Sequence, residues 1–238
     1  MNTFIFDLDG TLLPMPNQEL FVETYMKALS KKIVSHGMEP QSLIKAVWTA
    51  TGAMLKNDGT MTNEQRFWKV FSSIVGEDTK RLEDIFDHFY RNEFIAAKET
   101  TSTHPHAMEC INALKKKGYQ VVLATNPLFP RVATLARMDW AGLNPEDFEL
   151  ITTYENSSFC KPNLEYYTEI LDNIKKKPME CIMIGNDVKE DMCAAQLGME
   201  TFLLKECLIC PENVDISEFS QGDFDDLLTM INELPVIA

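Results

Sequence analysis

Three short apolar, β-rich runs in this chain stop on acids or hydrogen-bonding groups, and a lone lysine sits in a loop after a fourth. Thr3-Phe4-Ile5-Phe6 leads into Asp7-Leu8-Asp9-Gly10-Thr11, with two carboxylates at i and i+2 followed by a glycine and a threonine. Tyr119-Gln120-Val121-Val122-Leu123-Ala124 leads into Thr125-Asn126, and Cys181-Ile182-Met183-Ile184 into Gly185-Asn186-Asp187-Val188-Lys189-Glu190-Asp191. The run over 148–152 is followed, after a loop, by Lys161-Pro162. Such runs read as buried strands, and in an open α/β sheet ligands bind outside the carboxyl ends of the strands. Gly10 permits a tight turn that a Cβ would resist, and Thr11 can offer its hydroxyl and amide to an anion. Carboxylates that converge repel one another and raise each other's pKa unless a cation sits among them. A hard divalent ion meets that need, and Mg²⁺ fits because it keeps waters and shares phosphate oxygens. The lysine and the threonine hydroxyl supply donors for an anion bridging to the metal.

The elements that must position these groups follow from periodicity and punctuation. After the first acids, Pro14-Met15-Pro16 interrupts the backbone pattern at a hinge. From about 17 to 97 the apolar positions recur at a helical period, with no strand signal between them. Breaks at 37–40, 57–62 and 76–78 divide this stretch into about four helices. Beyond it the pattern alternates: a helix from Pro105 to the Lys115-Lys116-Lys117-Gly118 stop, the strand over 119–124, a helix over 128–140, and the strand over 148–152. A helix over 163–177, the strand over 181–184, a helix over 192–197, a strand over 201–204 and a helix over 224–234 complete it. That alternation is the signature of a doubly wound parallel sheet, whose right-handed crossovers put every carboxyl strand end on one edge. The expected architecture is therefore an α/β core, 1–14 and 98–238, with an all-helical insertion over 15–97 forming a small domain of its own.

Composition bounds the function. The 238 residues, 45% of them hydrophobic, suffice for one sizeable core or a core with a smaller insertion. A net charge of -14 without an arginine-rich block argues against a protein that tracks a nucleic-acid backbone, and such a chain is repelled by anionic membranes. No segment approaches the ~20 apolar residues of a membrane span, and the first strand begins at once, so the expectation is a cytoplasmic protein. Six irregularly spaced cysteines form no disulfide framework, and Cys207-Leu208-Ile209-Cys210 lacks the second pair or histidines of a zinc site. Lys115 to Lys117 read as a solvated helix end, His104 and His106 as helix-start residues, and Lys56, Asn63, Arg66 and Lys98 as surface residues of the insertion. Leu128 and Phe129 serve a pocket wall or the core equally well.

Taken together, Asp7-Leu8-Asp9-Gly10-Thr11, Thr125-Asn126, Lys161-Pro162 and Gly185 through Asp191, with a helical insertion after the first, resemble the four motifs of the haloacid dehalogenase superfamily of hydrolases. The resemblance implies a Rossmann-like core with a helical cap over 15–97. It further implies that Asp7 attacks the phosphorus of a phosphomonoester and becomes an aspartyl-phosphate, while Asp9 serves as general acid and then base. Lys161, Thr11, Thr125 and Asn126 would hold the phosphate or its loop. Mg²⁺ would be held by Asp7, the Asp9 carbonyl and Asp187, with Asp191 orienting Lys161 or joining the ligands. One departure is that Asn186 stands between Gly185 and Asp187, where many members have Gly-Asp directly. Dehalogenating members lack an acid at the position of Asp9, so Asp9 implies phosphate esters. The leading expectation is a Mg²⁺-dependent phosphatase for a small phosphorylated metabolite, a monomer or weak homodimer. A phosphomutase or phosphotransferase on the same scaffold is the alternative, with a signalling phospho-aspartate domain or a non-catalytic binding protein as readings of a different class.

Overall fold

The computed structural model describes residues 1–76 and 79–237. Its centre is β1 (Thr3–Phe6), buried at every position. β1 pairs in parallel with β2 (Gln120–Leu123) on one side and β4 (Cys181–Gly185) on the other, Phe4 lying opposite both Val121 and Ile182. β3 (Leu150–Ile151) extends the sheet beyond β2, and β5 (Glu200–Leu204) and β6 (Ser220–Gly222) extend it beyond β4. The order is β3-β2-β1-β4-β5-β6, with every pairing parallel. The chain builds outward from β1 in one direction, then returns to β4 and builds in the other. β1 and β4 therefore flank the topological switch point, where the crevice of such a sheet lies.

Continuous apolar strands are required because both faces of the sheet are covered. Phe4, Phe6, Val121, Leu123, Ile182, Ile184, Phe202 and Leu204 point into one buried layer, whereas Ile5, Val122, Met183 and Cys181 point into the other. On the first face lie α5 (Pro105–Lys116), α6 (Arg131–Trp140) and α8 (Phe224–Glu233), through residues such as Ile111, Met138 and Leu227. On the second lies α7 (Leu164–Ile174), whose Tyr166, Tyr167, Ile170 and Leu171 make the apolar stripe.

Between β1 and α5 the described elements are helical, as the periodicity predicts: α1 (Gln18–Ser35), α2 (Pro40–Leu55), α3 (Asn63–Val75) and α4 (Thr79–Arg91), closed by a 3-10 stretch, Glu93–Thr100. Asn17 caps α1 by accepting from the Leu20 amide at 2.9 Å, and Thr62 with Gln65 forms a capping box on α3. Of the break expected at 76–78, Gly76 ends α3, and 77–78 lie outside the described residues. The insertion shares a buried layer with the sheet: Phe21, Phe71, Phe89 and Phe94 belong to the same cluster as Phe4 and Phe6.

Several expected boundaries move. α6 starts at Arg131, not 128, because Pro130 sits at its N-cap and Leu128 and Phe129 line the cavity instead. Residues 192–197 form a 3-10 turn rather than an α-helix, and β6 is an added edge strand.

Candidate active site

The carboxyl ends of β1, β2 and β4 open on one cavity of about 190 Å³. Its floor carries Asp7, Asp9, Thr125, Asn126, Asn186, Asp187, Glu190 and Asp191, and its roof Met15, Phe21, Val22, Leu128, Phe129 and Gln18. Topology alone brings these together, since the Asp7 and Asp187 loops leave neighbouring parallel strands. A larger cavity of about 670 Å³ lies at the seam between α3, α4 and α6, with none of the clustered acids in its wall.

Asp7 is 7% exposed and is fixed from two sides. Lys161 Nζ donates to its Oδ1 at 2.7 Å and the Thr11 hydroxyl lies 3.0 Å from its Oδ2. Lys161 also donates to Asp191 Oδ1 at 2.6 Å, so one ammonium bridges two carboxylates. Burial opposes the ammonium, but Asp191 and Asp7 overcome it and hold the Lys161 pKa well above the ordinary value. Burial pushes Asp191 up to about 7, with Lys161 opposing. The second Asp191 oxygen accepts from the Asp187 amide at 3.0 Å, which occupies both of its oxygens with protein donors. Gly185 allows this: a Cβ there would stand 2.1 Å from Asp191 Oδ2.

Asp9 faces the cavity with a side chain 23% exposed. The Arg137 guanidinium pairs with its Oδ2, and the Thr125 hydroxyl lies 3.4 Å from the same oxygen. Burial raises the Asp9 pKa, and Arg137 opposes the rise. Arg137 itself is fully buried, its guanidinium carbon 4.3 Å from the centroid of the Phe129 ring. Asp187 Oδ1 accepts from the amides of Lys189 and Glu190 at 2.7 and 2.9 Å. Asn126 donates one of its two amide hydrogens to Glu190 Oε2 at 3.0 Å, while its Oδ1 is buried without a partner.

Asn186, the departure from the family pattern, links the first and last loops. It lies 3.0 Å from the Thr11 hydroxyl and donates to the Cys207 carbonyl at 2.5 Å. A hydroxyl has one proton, so Thr11 serves either Asp7 or Asn186 and braces the loop. The Cys207–Cys210 segment backs this loop, with the Ile209 amide donating to the Asn186 carbonyl at 2.8 Å. All six cysteines are free.

Sequence reasoning missed Arg137 and Glu190. An arginine four residues after Ala133 on the buried stripe of α6 was the readable signal, since arginine is almost never fully buried unless paired. It also misplaced Asn63, expected at the surface. The Asn63 side chain is buried and donates to the carbonyls of Pro127 and Phe159 at 3.4 and 3.2 Å, tying α3 to the core. Arg66 instead binds Asn57 and Asp58 within the insertion.

The donors suit a divalent ion in part. Among the described residues no group of three or more histidine, cysteine or acidic side chains forms a ready cage. Mg²⁺ does not need one, because it keeps waters and takes one or two carboxylates plus phosphate oxygens. The unpartnered buried Asp9 Oδ1 and the crowding of Asp7, Asp187 and Glu190 leave negative charge that two cations, each already paired, do not neutralise.

The chain is similar to several known proteins. The chain is 24% identical over 204 residues to the pyrophosphatase PpaX of Bacillus cereus, covering 84% of this chain and 82% of that one. A HAD phosphatase from Thermococcus onnurineus superposes with a TM-score of 0.61 over 100% of both chains at 15% identity. A structure of Bacillus subtilis YfnB bound to magnesium superposes with a TM-score of 0.55 over 97% of this chain and 98% of its own, at 20% identity. Residues 1–198 match the family model of the haloacid dehalogenase-like hydrolases, and the chain belongs to that family.

Proposed function

We propose that the chain is a Mg²⁺-dependent phosphatase hydrolysing a small phosphomonoester through an aspartyl-phosphate on Asp7. The observation that carries this reading is the second acid, Asp9, facing the same cavity as Asp7 with its pKa raised by burial. An Asp7 oxygen attacks phosphorus as the bond to the leaving oxygen breaks, and Asp9 gives its proton to that oxygen. Asp9, now a carboxylate, takes a proton from the water that attacks the aspartyl-phosphate, releasing inorganic phosphate and restoring Asp7. Lys161 pairs with the Asp7 carboxylate and offers positive charge where the transferred phosphoryl oxygens gather it. Asp191 orients Lys161, and Thr125 steadies Asp9.

Asp7, Asp187 and the Asp9 backbone carbonyl would hold Mg²⁺, which when bound neutralises phosphoryl charge. The insertion over 15–97 acts as a cap, since α1 contributes Gln18, Phe21 and Val22 to the roof. Six free cysteines suit a reducing compartment, in keeping with a cytoplasmic protein. No helix among the described residues is long and apolar enough to cross a membrane.

The test is release of inorganic phosphate from a panel of short-chain phosphomonoesters with Mg²⁺, with and without a sugar acceptor. Turnover that is independent of acceptor and lost reversibly on chelation supports the reading. Transfer that requires an acceptor points to a phosphotransferase, and turnover untouched by chelation removes the metal from the mechanism.

A further inference from the structure

The roof of the cavity contains no positive charge, and this bears on what leaves when the phosphate bond breaks. Met15, Phe21, Val22, Leu128 and Phe129 are apolar, and Gln18 is the one polar side chain among these roof residues. The two cations beneath are already engaged: Lys161 by Asp7 and Asp191, Arg137 by Asp9. The remaining polar wall combines neutral Thr125, Asn126 and Asn186 with the carboxylates of Asp187 and Glu190 and adds no cation. Asn126 presents a neutral amide here, one hydrogen held by Glu190 and its Oδ1 without a partner. Such an amide pairs with a hydroxyl but brings no counter-charge to an anionic oxygen. The volume of about 190 Å³ also falls below the roughly 300–1,000 Å³ of sites that bury drug-sized ligands.

We infer that the enzyme selects a phosphomonoester of a compact, uncharged, hydroxyl-bearing alcohol and rejects substrates whose leaving group carries its own negative charge. Pyrophosphate, the substrate that PpaX is named for, falls in the rejected class, as does a phosphorylated carboxylate. In either case the second anionic group meets apolar side chains and carboxylates with no cationic side chain of the roof to pair with it, which weakens the transition state more than it weakens that of a neutral alcohol. The inference rests on the phosphatase reading and adds to it a leaving-group class.

The experiment compares kcat/KM for glycerol 1-phosphate, phosphoglycolate and pyrophosphate in the wild type and in Gln18→Lys. Gln18 is exposed at the first turn of α1, so a lysine there leaves the fold intact while placing a cation on the roof. The expected wild-type ratio favours glycerol 1-phosphate by about 100-fold over either anionic substrate. Gln18→Lys is expected to raise kcat/KM for pyrophosphate by about tenfold, as one new counter-charge would. Wild-type turnover of either anionic substrate within tenfold of glycerol 1-phosphate overturns the inference while leaving the phosphatase reading standing. Absence of gain in a folded Gln18→Lys overturns the role assigned to the roof. If none of the three is hydrolysed, the phosphatase reading itself fails, and the inference falls with it.

Discussion

A Cβ on Gly10 would lie 2.4 Å from Asn186 Nδ2, so the turn after the two acids of β1 and the loop after β4 touch without room for one extra carbon. Gly10 also has a φ of +87°, a region that side-chain-bearing residues enter at a cost. Gly10→Ala is expected to lose about 1–2 kcal/mol from the backbone alone and more from the collision. Urea denaturation measures it. Adding Asn186→Ala removes the colliding side chain, so the double variant should lose less than the sum of the two single changes. Strict additivity would show that the two loops do not press on each other.

Asp7→Asn keeps the shape of the residue that Lys161 and Thr11 hold, while removing the nucleophilic charge. Phosphate release should fall by at least about 10³-fold. Lys161 retains Asp191, so the melting temperature should stay within a few degrees of the wild type. A variant that turns over normally would remove Asp7 from the chemistry.

Arg137 sits behind the proposed acid, and its removal has two separable effects. Burial raises the Asp9 pKa and Arg137 opposes that rise, so Arg137→Met should raise it further. As Asp9 must be protonated to donate, the alkaline limb of kcat/KM should move to higher pH. For stability, an acid whose folded pKa lies above its unfolded value stabilises below the unfolded pKa and loses that contribution as pH rises through the folded one. The variant, which leaves the charged form of Asp9 without its partner, should therefore lose more stability at high pH, where that form is favoured, than at low pH. An unmoved alkaline limb would assign proton donation to another group.

Phe94 joins the insertion to the wall of the cavity. It is fully buried, with ring centroids 6.0 Å from Phe129 and 5.2 Å from Trp140. Phe94→Ala should cost about 3–5 kcal/mol by calorimetry, and because Phe129 lines the roof, KM should rise more than kcat falls.

The sheet was legible because its strands are short apolar runs that stop on polar groups, the pattern of parallel strands covered on both faces. β6 was not: Ser220-Gln221-Gly222 has no apolar run, and it is a strand only because the edge of β5 supplies its partners. The start of α6 was misread because Leu128 and Phe129 carry helical apolar character but are drawn to the cavity. Asn63 looked like surface polarity, since the carbonyls of Pro127 and Phe159 that satisfy it are distant in sequence. Arg137 was missed for the same reason: its counter-charge, Asp9, stands 128 residues earlier in the chain.

Phe71 and Phe89 of the insertion share one buried cluster with Phe4 and Phe6 of the central strand. The helical layer is therefore no detachable lid. Amide protons of α3 and of β1 should exchange with solvent through one common opening event, and a proteolytic cut between the two lobes should free neither as a stable fragment.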